Sequence, residues 1–282
     1  MGELISERIR HNARELKLYG LADTADELID RAEAGKLGYR EFLDLVLESE
    51  VGVLDGRRYA SRLKLSALPH HKTLDEFDAS FQPELDPKQL AELRSLRFVQ
   101  NKVSSLILGP PGVGKTHLAV GLAMEALRAG YLVRYTTLDD IVRELRQADQ
   151  LGTLRNKLSH YQRPHVLIVD EVGYLRLEHG DANRFFQLIN RRYTRSSMII
   201  TSNKRVSEWA ALFGDEVLAA AILDRLLHDA EVLTINGPSW RLRGRDDILS
   251  HTPNSGQEHE NGPSDTPRRP RPRPQKGSHE PD

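Results

Sequence analysis

The feature that most constrains the fold is a glycine-rich run that matches the pattern G-x-x-x-x-G-K-[ST]. Its residues are Gly109, Pro110, Pro111, Gly112, Val113, Gly114, Lys115 and Thr116. The run directly follows a short apolar stretch, Ser104–Leu108, and a helical pattern starts near Lys115. A loop between a strand and a helix presents backbone N–H groups to phosphate oxygens. In such a loop the lysine binds the β- and γ-phosphates and the Thr116 hydroxyl binds Mg²⁺, so the sequence predicts a site for nucleotide phosphates and Mg²⁺.

Around this run, apolar strands alternate with helices from residue 71 to residue 250. The strand-like runs are Ser104–Leu108, Leu132–Thr136, His165–Asp170, Ser197–Ser202 and Glu231–Ile235. The helical stretches between them include Thr116–Arg128, Leu138–Gln147, which Thr137 and Asp140 can cap, and Ala182–Tyr193. This alternation is typical of an α/β fold, in which a mainly parallel sheet is covered by helices on both faces.

Polar residues stand at the ends of two more predicted strands, His165–Asp170 and Ser197–Ser202. Asp170 and Glu171 follow the apolar run Val166–Val169, where a buried acid without a partner would be costly. Beside a phosphate loop, Asp170 fits a Mg²⁺ ligand, directly or through water, and Glu171 fits the base that polarises an attacking water. Asn203 follows the strand Ser197–Ser202, and its amide can hold that water or the γ-phosphate. Taken alone, the acids could be solvated and the asparagine could end a strand for reasons of turn geometry.

The segments on either side of this domain have different patterns. The pattern of residues 1–70 predicts a small domain made only of helices, which we expect to serve assembly or contact with DNA or a partner. It has a capping box at Thr24 and Glu27 and an apolar stripe within Tyr39–Glu48. A basic cluster on one of its probable helices, a pattern more often a solvated face than a binding site, comprises Arg57, Arg58, Arg62 and Lys64. Residues 251–282 contain seven of the 14 prolines and no Ile, Leu, Val, Phe, Trp or Tyr. This tail cannot bury enough apolar surface to fold, so we expect it to be disordered.

Composition excludes several classes of function. The chain has no cysteine, which rules out thiol catalysis, disulfides and cysteine-bound metals. Its 40 basic and 41 acidic residues give a net charge of −1, too little for a protein that coats DNA through bulk charge. The N-terminus is charged where a secretory signal needs an apolar core, and no apolar run approaches the ~20 residues that span a bilayer. We therefore expect a cytoplasmic protein without membrane contact.

One window of the near-neutral domain is strongly basic. Residues 182–207 contain six basic residues and no acid: Arg184, Arg191, Arg192, Arg195, Lys204 and Arg205. Such a window could neutralise DNA phosphates, and the last five are our candidates for that contact. No pattern for reading bases accompanies it, so any binding to duplex DNA should be largely independent of sequence. An exposed helix face followed by a loop would explain the same residues.

The polar residues at the three strand ends belong to longer motifs, and these motifs resemble those of a known family. These are GPPGVGKTHLA at 109–119, VDEVGYL at 169–175, TSNKRVSEW at 201–209, AAAILDRLLH at 219–228 and GPSWRL at 237–242. Together they resemble the AAA+ branch of P-loop ATPases and, more narrowly, the IstB-like ATP-binding helper proteins of bacterial insertion sequences. These helpers are related to the helicase loader DnaC and the initiator DnaA. The resemblance runs from about Leu4 to Asp247 and leaves out the tail.

The resemblance implies more than the residues themselves show. It implies a five-stranded sheet in the order 5-1-4-3-2, ATP-dependent self-assembly on duplex DNA, and action beside a transposase of the same element. It also makes Arg225 the arginine finger that reaches ATP on a neighbouring subunit, although a pair with Asp229 within one helix would also account for it. Arg241 could sense the nucleotide as well.

The resemblance leaves a choice between neighbouring functions. A replicative helicase loader shares the same core as a transposition helper, and the identity of the adjacent gene distinguishes them. A small-molecule kinase would leave Asn203 and Arg225 without roles. A binding module without ATPase activity is disfavoured, because Lys115, Thr116 and both acids are intact.

Overall fold

The predicted α/β core forms around a sheet of five parallel strands. The computed structural model describes residues 2–174 and 177–243, so the tail at 251–282 lies outside the described residues. The strands are β1 (Ser105–Leu108), β2 (Val133–Thr137), β3 (Val166–Val172), β4 (Ser197–Ser202) and β5 (Glu231–Thr234). Their order is β2-β3-β4-β1-β5, which confirms the expected order 5-1-4-3-2 read from the other edge.

Successive residues of the strands point to opposite faces of this sheet, as the period of two requires. Leu106 of β1 joins one apolar cluster and Ile107 joins the other. The first cluster is covered by α7 (Leu138–Gln150), α8 (Leu154–Gln162), α9 (His179–Arg192), α10 (Trp209–Phe213) and α11 (Glu216–Leu227). The second is covered by α4 (Pro87–Arg94), α5 (Arg97–Gln100) and α6 (Lys115–Arg128). The expected layers of helices on both faces are confirmed, and because both faces are covered the central strands are apolar throughout.

Three helices precede the sheet domain. They are α1 (Gly2–Glu15), α2 (Tyr19–Gly35) and α3 (Tyr39–Ser66). The capping box expected at Thr24 is wrong, because Thr24 lies inside α2 and its hydroxyl donates to the carbonyl of Gly20 at 2.9 Å. The helix at Tyr39–Glu48 continues through the basic cluster to Ser66. Its last turns pack on the second apolar cluster through Tyr59 and Leu63.

Short 3₁₀ turns lie near the ends of several elements, at Ala79–Phe81, Val206–Glu208 and Trp240–Leu242. The cap expected at Thr137 is confirmed, since its side chain accepts the backbone N–H of Asp140 at 3.1 Å. Among residues 2–174 and 177–243, no helix is long and apolar enough to cross a membrane.

Candidate nucleotide site

The glycine-rich run forms the turn between β1 and α6, as its position in the sequence predicts. Gly114 is the N-cap of α6 with φ = 101°, a backbone angle that residues with a side chain rarely adopt. A Cβ atom at Gly114 would lie 2.7 Å from the ring of Phe77, so glycine is required there on steric grounds as well. The backbone N–H of Gly109 donates to the carbonyl of Ser202 at 3.1 Å, which holds the start of the loop against the end of β4.

Lys115 points back into the loop that precedes it. Its Nζ donates to the carbonyl oxygens of Gly109 and Pro110, each at 2.8 Å, and the residue is only 9% exposed. Burial lowers the pKa of this ammonium, and the charge of Arg241 acts in the same direction, while Asp170 opposes both. The positive charge therefore lies inside the loop, at the place where a phosphate group would need it.

Asp170 is the buried acid of the site and is surrounded by hydroxyl donors. The Thr116 hydroxyl donates to its two carboxylate oxygens at 3.2 and 3.0 Å. Tyr135 of β2 donates to Oδ2 at 2.6 Å, and Thr201 of β4 donates to Oδ1. Burial, followed by the hydrogen bond to Asp170, raises the pKa of the Tyr135 phenol, so the phenol keeps its proton. These donors fix the orientation of the carboxylate beneath the phosphate loop.

The Thr116–Asp170 pair has the chemistry that Mg²⁺ needs. Both side chains supply oxygen atoms, which this hard cation prefers, and the pair lies at the first turn of α6. Within the described part of the chain, no group of three or more His, Cys, Asp or Glu residues could hold a metal ion alone. That fits Mg²⁺, which usually takes one or two protein ligands and completes its shell with phosphate oxygens and water.

Glu171 lies on an irregularity of β3. The pairing of β3 with β4 shifts register between Val169 and Val172, and Glu171 adopts φ = 64°. This left-handed conformation is rare for residues other than glycine, and Glu171 is exposed whereas Asp170 is buried. The backbone N–H of Glu171 donates to the Thr201 hydroxyl at 3.1 Å. Two adjacent acids are thereby placed in different surroundings, one enclosed and one open.

Asn203 lies beside this irregular segment at the end of β4. A Cβ atom on Gly173, which has φ = 114°, would come within 2.5 Å of Asn203 Oδ1. That amide oxygen is buried and has no hydrogen-bond partner within the described part of the chain. An unpaired buried acceptor is costly, which makes Asn203 a candidate for binding a donor such as a water molecule.

Two further segments approach the phosphate loop. Of their residues, the sequence predicted a role only for Arg241. On one side, Trp240 donates its backbone N–H to the Gly112 carbonyl at 2.9 Å. On the other, Phe77 packs against Gly114 and edge-on against His117, with ring centroids 5.5 Å apart. Exposed Arg241 follows Trp240, close enough for its charge to affect Lys115. The candidate nucleotide sensor is thus near the loop.

Arg225 lies near the N-terminal ends of the strands, away from the phosphate loop at their C-terminal ends. Together with Ser104 and Ser196, which precede β1 and β4, it lines a cavity of about 140 Å³. Its Nε donates to Asn190 Oδ1 at 3.1 Å and its Nη1 to the Ala221 carbonyl at 3.0 Å. The alternative pair with Asp229 within one helix is wrong, because α11 ends at Leu227 before Asp229. Arg225 therefore cannot act on the phosphate loop of its own chain.

The basic window at 182–207 does not form one surface. Arg191 and Arg195 precede β4, whereas Lys204 and Arg205 follow it, so a six-residue strand separates the two pairs by about 20 Å. Arg184 pairs with Asp149 and Asp181, each at 2.9 Å. The linear spacing of charges therefore overstated the density of positive charge at any one place.

Within this window, the prediction that Arg192 contacts DNA is wrong. The residue is 1% exposed and donates to the carbonyl oxygens of Tyr161, Pro164 and Ser197 at 2.6–3.1 Å. Burial lowers the pKa of the guanidinium to about 9, which still leaves it charged at neutral pH. Arg192 is a structural cation that joins the end of α8 to the start of β4.

Sequence reasoning missed Thr201 and Tyr135, the two residues that hold Asp170 from neighbouring strands. Thr201 stood within the TSN run that ends in Asn203, and the period of two places its side chain on the same face of the sheet as Ile199. Tyr135 carried no signal, because an aromatic residue in a strand is ordinarily part of the core.

The order of the strands and the loop identify the class. The sheet is parallel, and the phosphate-loop strand β1 lies between β5 and β4. The acid-bearing strand β3 lies on the other side of β4. This arrangement is that of AAA+ P-loop proteins. The AMPPCP-bound DnaA from Aquifex aeolicus has this fold, with a TM-score of 0.50 and 23% identity over 60% of this chain and 51% of that chain. At that identity the likeness shows the fold alone.

Sequence comparison identifies the family within that class. The model of the IstB-like ATP binding protein family matches residues 11–247, and the chain belongs to this family. It is 43% identical over 239 residues to the ATP-binding protein of insertion sequence IS5376 from Geobacillus stearothermophilus, covering 85% of this chain and 95% of that protein. It is 45% identical over 228 residues to the corresponding IS21 protein of Pseudomonas aeruginosa, covering 81% and 86%.

Proposed function

We propose that this protein hydrolyses ATP, and that its ATP-bound form assembles on duplex DNA and assists the transposase of an insertion sequence. The observation that carries the catalytic part is the contact of Thr116 with buried Asp170 directly beneath the phosphate loop. The pair supplies oxygen ligands for Mg²⁺, and Lys115 supplies the positive charge that the phosphates of a nucleoside triphosphate require.

In the proposed reaction, Lys115 exchanges the two loop carbonyls for oxygens of the β- and γ-phosphates. Thr116 and Asp170 would hold Mg²⁺, which would supply positive charge to offset the negative charge that develops on the transferred phosphoryl group. Water attacks the γ-phosphorus, its proton passes to the exposed carboxylate of Glu171, and the bond to the β–γ bridging oxygen breaks to release ADP and phosphate. Asn203, through its unpaired amide oxygen, orients the attacking water.

Turnover in this scheme depends on assembly. Arg225 lies at the sheet edge away from its own phosphate loop, so it serves as a finger only for ATP held by a neighbouring copy. A guanidinium supplied in trans stabilises the charge of the transition state and is absent from an isolated subunit. The relatives named as insertion-sequence proteins support the transposase as the partner.

Sizing the protein by light scattering, with and without ATP and duplex DNA in a salt series, tests this function. We expect growth of the particle that needs ATP and is enhanced by DNA, and no growth for Lys115→Ala, which loses the phosphate-binding cation. A wild-type protein that turns over ATP yet stays monomeric under all conditions would contradict assembly. An integrase-type transposase gene beside this one supports the transposition helper, and a helicase gene supports a helicase loader instead.

A further inference from the structure

We propose that a groove between α3 and the C-terminal end of α6 binds the phosphate backbone of duplex DNA. The groove has a volume of about 720 Å³, and its walls include Arg58, Tyr59 and Arg62 of α3 and Arg128 of α6. The sequence predicts assembly, DNA or partner contact for the N-terminal domain as a whole, but taken alone the basic cluster of α3 is more often a solvated face than a binding site. The proposal deepens the proposed function, on which it rests, by giving its DNA contact a place.

Charge is concentrated in the groove by the way two distant segments meet. Asp55, Arg58, Tyr59 and Arg62 have the spacing i, i+3, i+4 and i+7, so they share one face of α3. Arg128 comes from the end of α6, 66 positions after Arg62 in the chain. Three arginines against one lining acid, Asp55, leave the walls with a charge of +2. The basic window at 182–207, by contrast, is divided between two edges of the sheet.

The arginines of the groove are only lightly engaged by the protein itself. Arg58 pairs with exposed Asp55 at 3.3 Å, and exposed Arg128 with half-buried Glu125 at 3.3 Å, each three residues apart on a helix. Such pairs are weak and exchange readily for a better anion. Arg62 donates to the Leu127 carbonyl at 3.3 Å, and its buried Nε has no hydrogen-bond partner within the described residues. Each guanidinium has five N–H donors, so most remain available to phosphate oxygens.

Glycine at two places leaves the groove open. Gly56 lies in the interior of α3, where glycine weakens a helix, and a Cβ atom added there would meet nothing within 4 Å. Packing inside the protein therefore does not require this glycine, and its lack of a side chain keeps this part of the groove wall low. Gly130 forms part of the facing wall, and a Cβ atom there would likewise meet no atom.

The lining favours nucleic acid over an acidic protein. Protein interfaces need apolar anchors at their centre, and Tyr59 is the single large side chain of that kind among the described lining residues. Guanidinium groups bind phosphate oxygens through paired N–H···O bonds, so the three lining arginines suit the backbone of DNA.

Fluorescence anisotropy of a labelled duplex, in ATP and Mg²⁺ over a potassium chloride series, tests the groove. We expect Arg58→Gln with Arg128→Gln to reduce the slope of log affinity against log salt by about 2, because each lost phosphate contact removes about 0.9. Arg57→Gln is the matched control, since Arg57 directly precedes Arg58 in α3 but does not line the groove. Its guanidinium carbon lies 4.4 Å from the centroid of the Tyr19 ring. It should keep nearly the wild-type slope.

A second pair of variants separates charge from shape. Gly56→Leu should weaken DNA binding while leaving the protein folded, and Gly52→Leu, equally open but outside the groove, should not. Melting temperatures of all variants report folding.

Three results overturn the proposal in different ways. If wild type binds DNA and the groove variants match it in slope and affinity, the groove proposal fails while assembly on DNA stands. If wild type hydrolyses ATP but never binds DNA, both the groove and the DNA part of the proposed function fail. If polyglutamate binds wild type but not the double variant, while DNA binding is unchanged, the groove serves an acidic protein.

Discussion

At the scale of single residues, the hydroxyl of Thr201 links two acids that have different tasks. It donates to Asp170 and accepts the backbone N–H of Glu171, and the residue is 1% exposed. Glu171 holds a left-handed backbone conformation that costs on the order of 1–3 kcal/mol and needs support from its surroundings. The same hydroxyl therefore orients Asp170, the proposed Mg²⁺ ligand, and supports the backbone conformation of Glu171, the proposed base.

Replacing Thr201 tests this link. Thr201→Val keeps the shape but removes the hydroxyl, so we expect kcat to fall roughly 10- to 100-fold as the acids lose their alignment. The KM for ATP should change little, because the phosphate loop is untouched. Thr201→Ser keeps the hydroxyl and should restore most of the rate. Steady-state kinetics measure the split, and equal loss in both variants would show that only packing matters.

Glu171→Gln separates binding from chemistry at the neighbouring position. The amide retains the size of the side chain but cannot take a proton, so we expect ATP affinity near that of wild type and turnover lower by roughly 10²–10⁴-fold. Equilibrium binding of a fluorescent ATP analogue and phosphate release measure the two quantities. Normal turnover by this variant would show that Glu171 is not the base.

At the scale of elements, β4 is held at its start by a cation and at its end by the site. Arg192 fixes the start, where its guanidinium donates to three carbonyl oxygens, one of them from Ser197 of β4 itself. The end of β4 contributes Thr201 and accepts the N–H of Gly109 through the Ser202 carbonyl. The position of this strand therefore determines the geometry of both acids and of the phosphate loop.

Arg192→Met should accordingly destabilise the protein. It leaves buried carbonyl oxygens without donors, so we expect the free energy of unfolding to fall by about 3 kcal/mol or more. The matched control is Arg195→Met, an exposed position that should change stability by only about 0.5 kcal/mol. Urea denaturation monitors both. Similar stability of the two variants would argue against the structural role of Arg192.

At the scale of the whole molecule, the functional groups are divided between the two ends of the strands of one sheet. The phosphate loop, Asp170 and Asn203 lie at the C-terminal ends of the strands, and Arg225 lies near their N-terminal ends. A rigid sheet keeps these groups apart within one chain. In the proposed scheme, a second copy therefore brings the arginine to the nucleotide.

Mixing two inactive variants tests this division. Arg225→Ala retains an intact nucleotide site, whereas Glu171→Gln retains an intact arginine. We expect each variant alone to turn over slowly, and a mixture to regain activity because the second can supply Arg225 to the first. Phosphate release at fixed total protein measures the effect. A mixture no more active than the average of its parts would contradict action in trans.

The sequence by itself determined the layout of the core. The GPPGVGKT run, five apolar strands and the acids after the third strand predicted a parallel sheet with a phosphate loop, because periodicity and loop chemistry are local properties of the chain. Helix ends were less accurate: α9 begins three residues before the predicted start at Ala182, where Asp181 pairs with Arg146 of α7 and with Arg184.

Only the tertiary structure decided which residues meet. Charge spacing along the chain did not reveal that Arg192 is enclosed by backbone carbonyls, or that Arg62 and Arg128 face one groove. Likewise, Tyr135 and Thr201 became partners of Asp170 because three parallel strands place their ends side by side. Local pattern fixes how each segment folds. Contacts between distant segments depend on register and burial, which arise only when the whole sheet has formed.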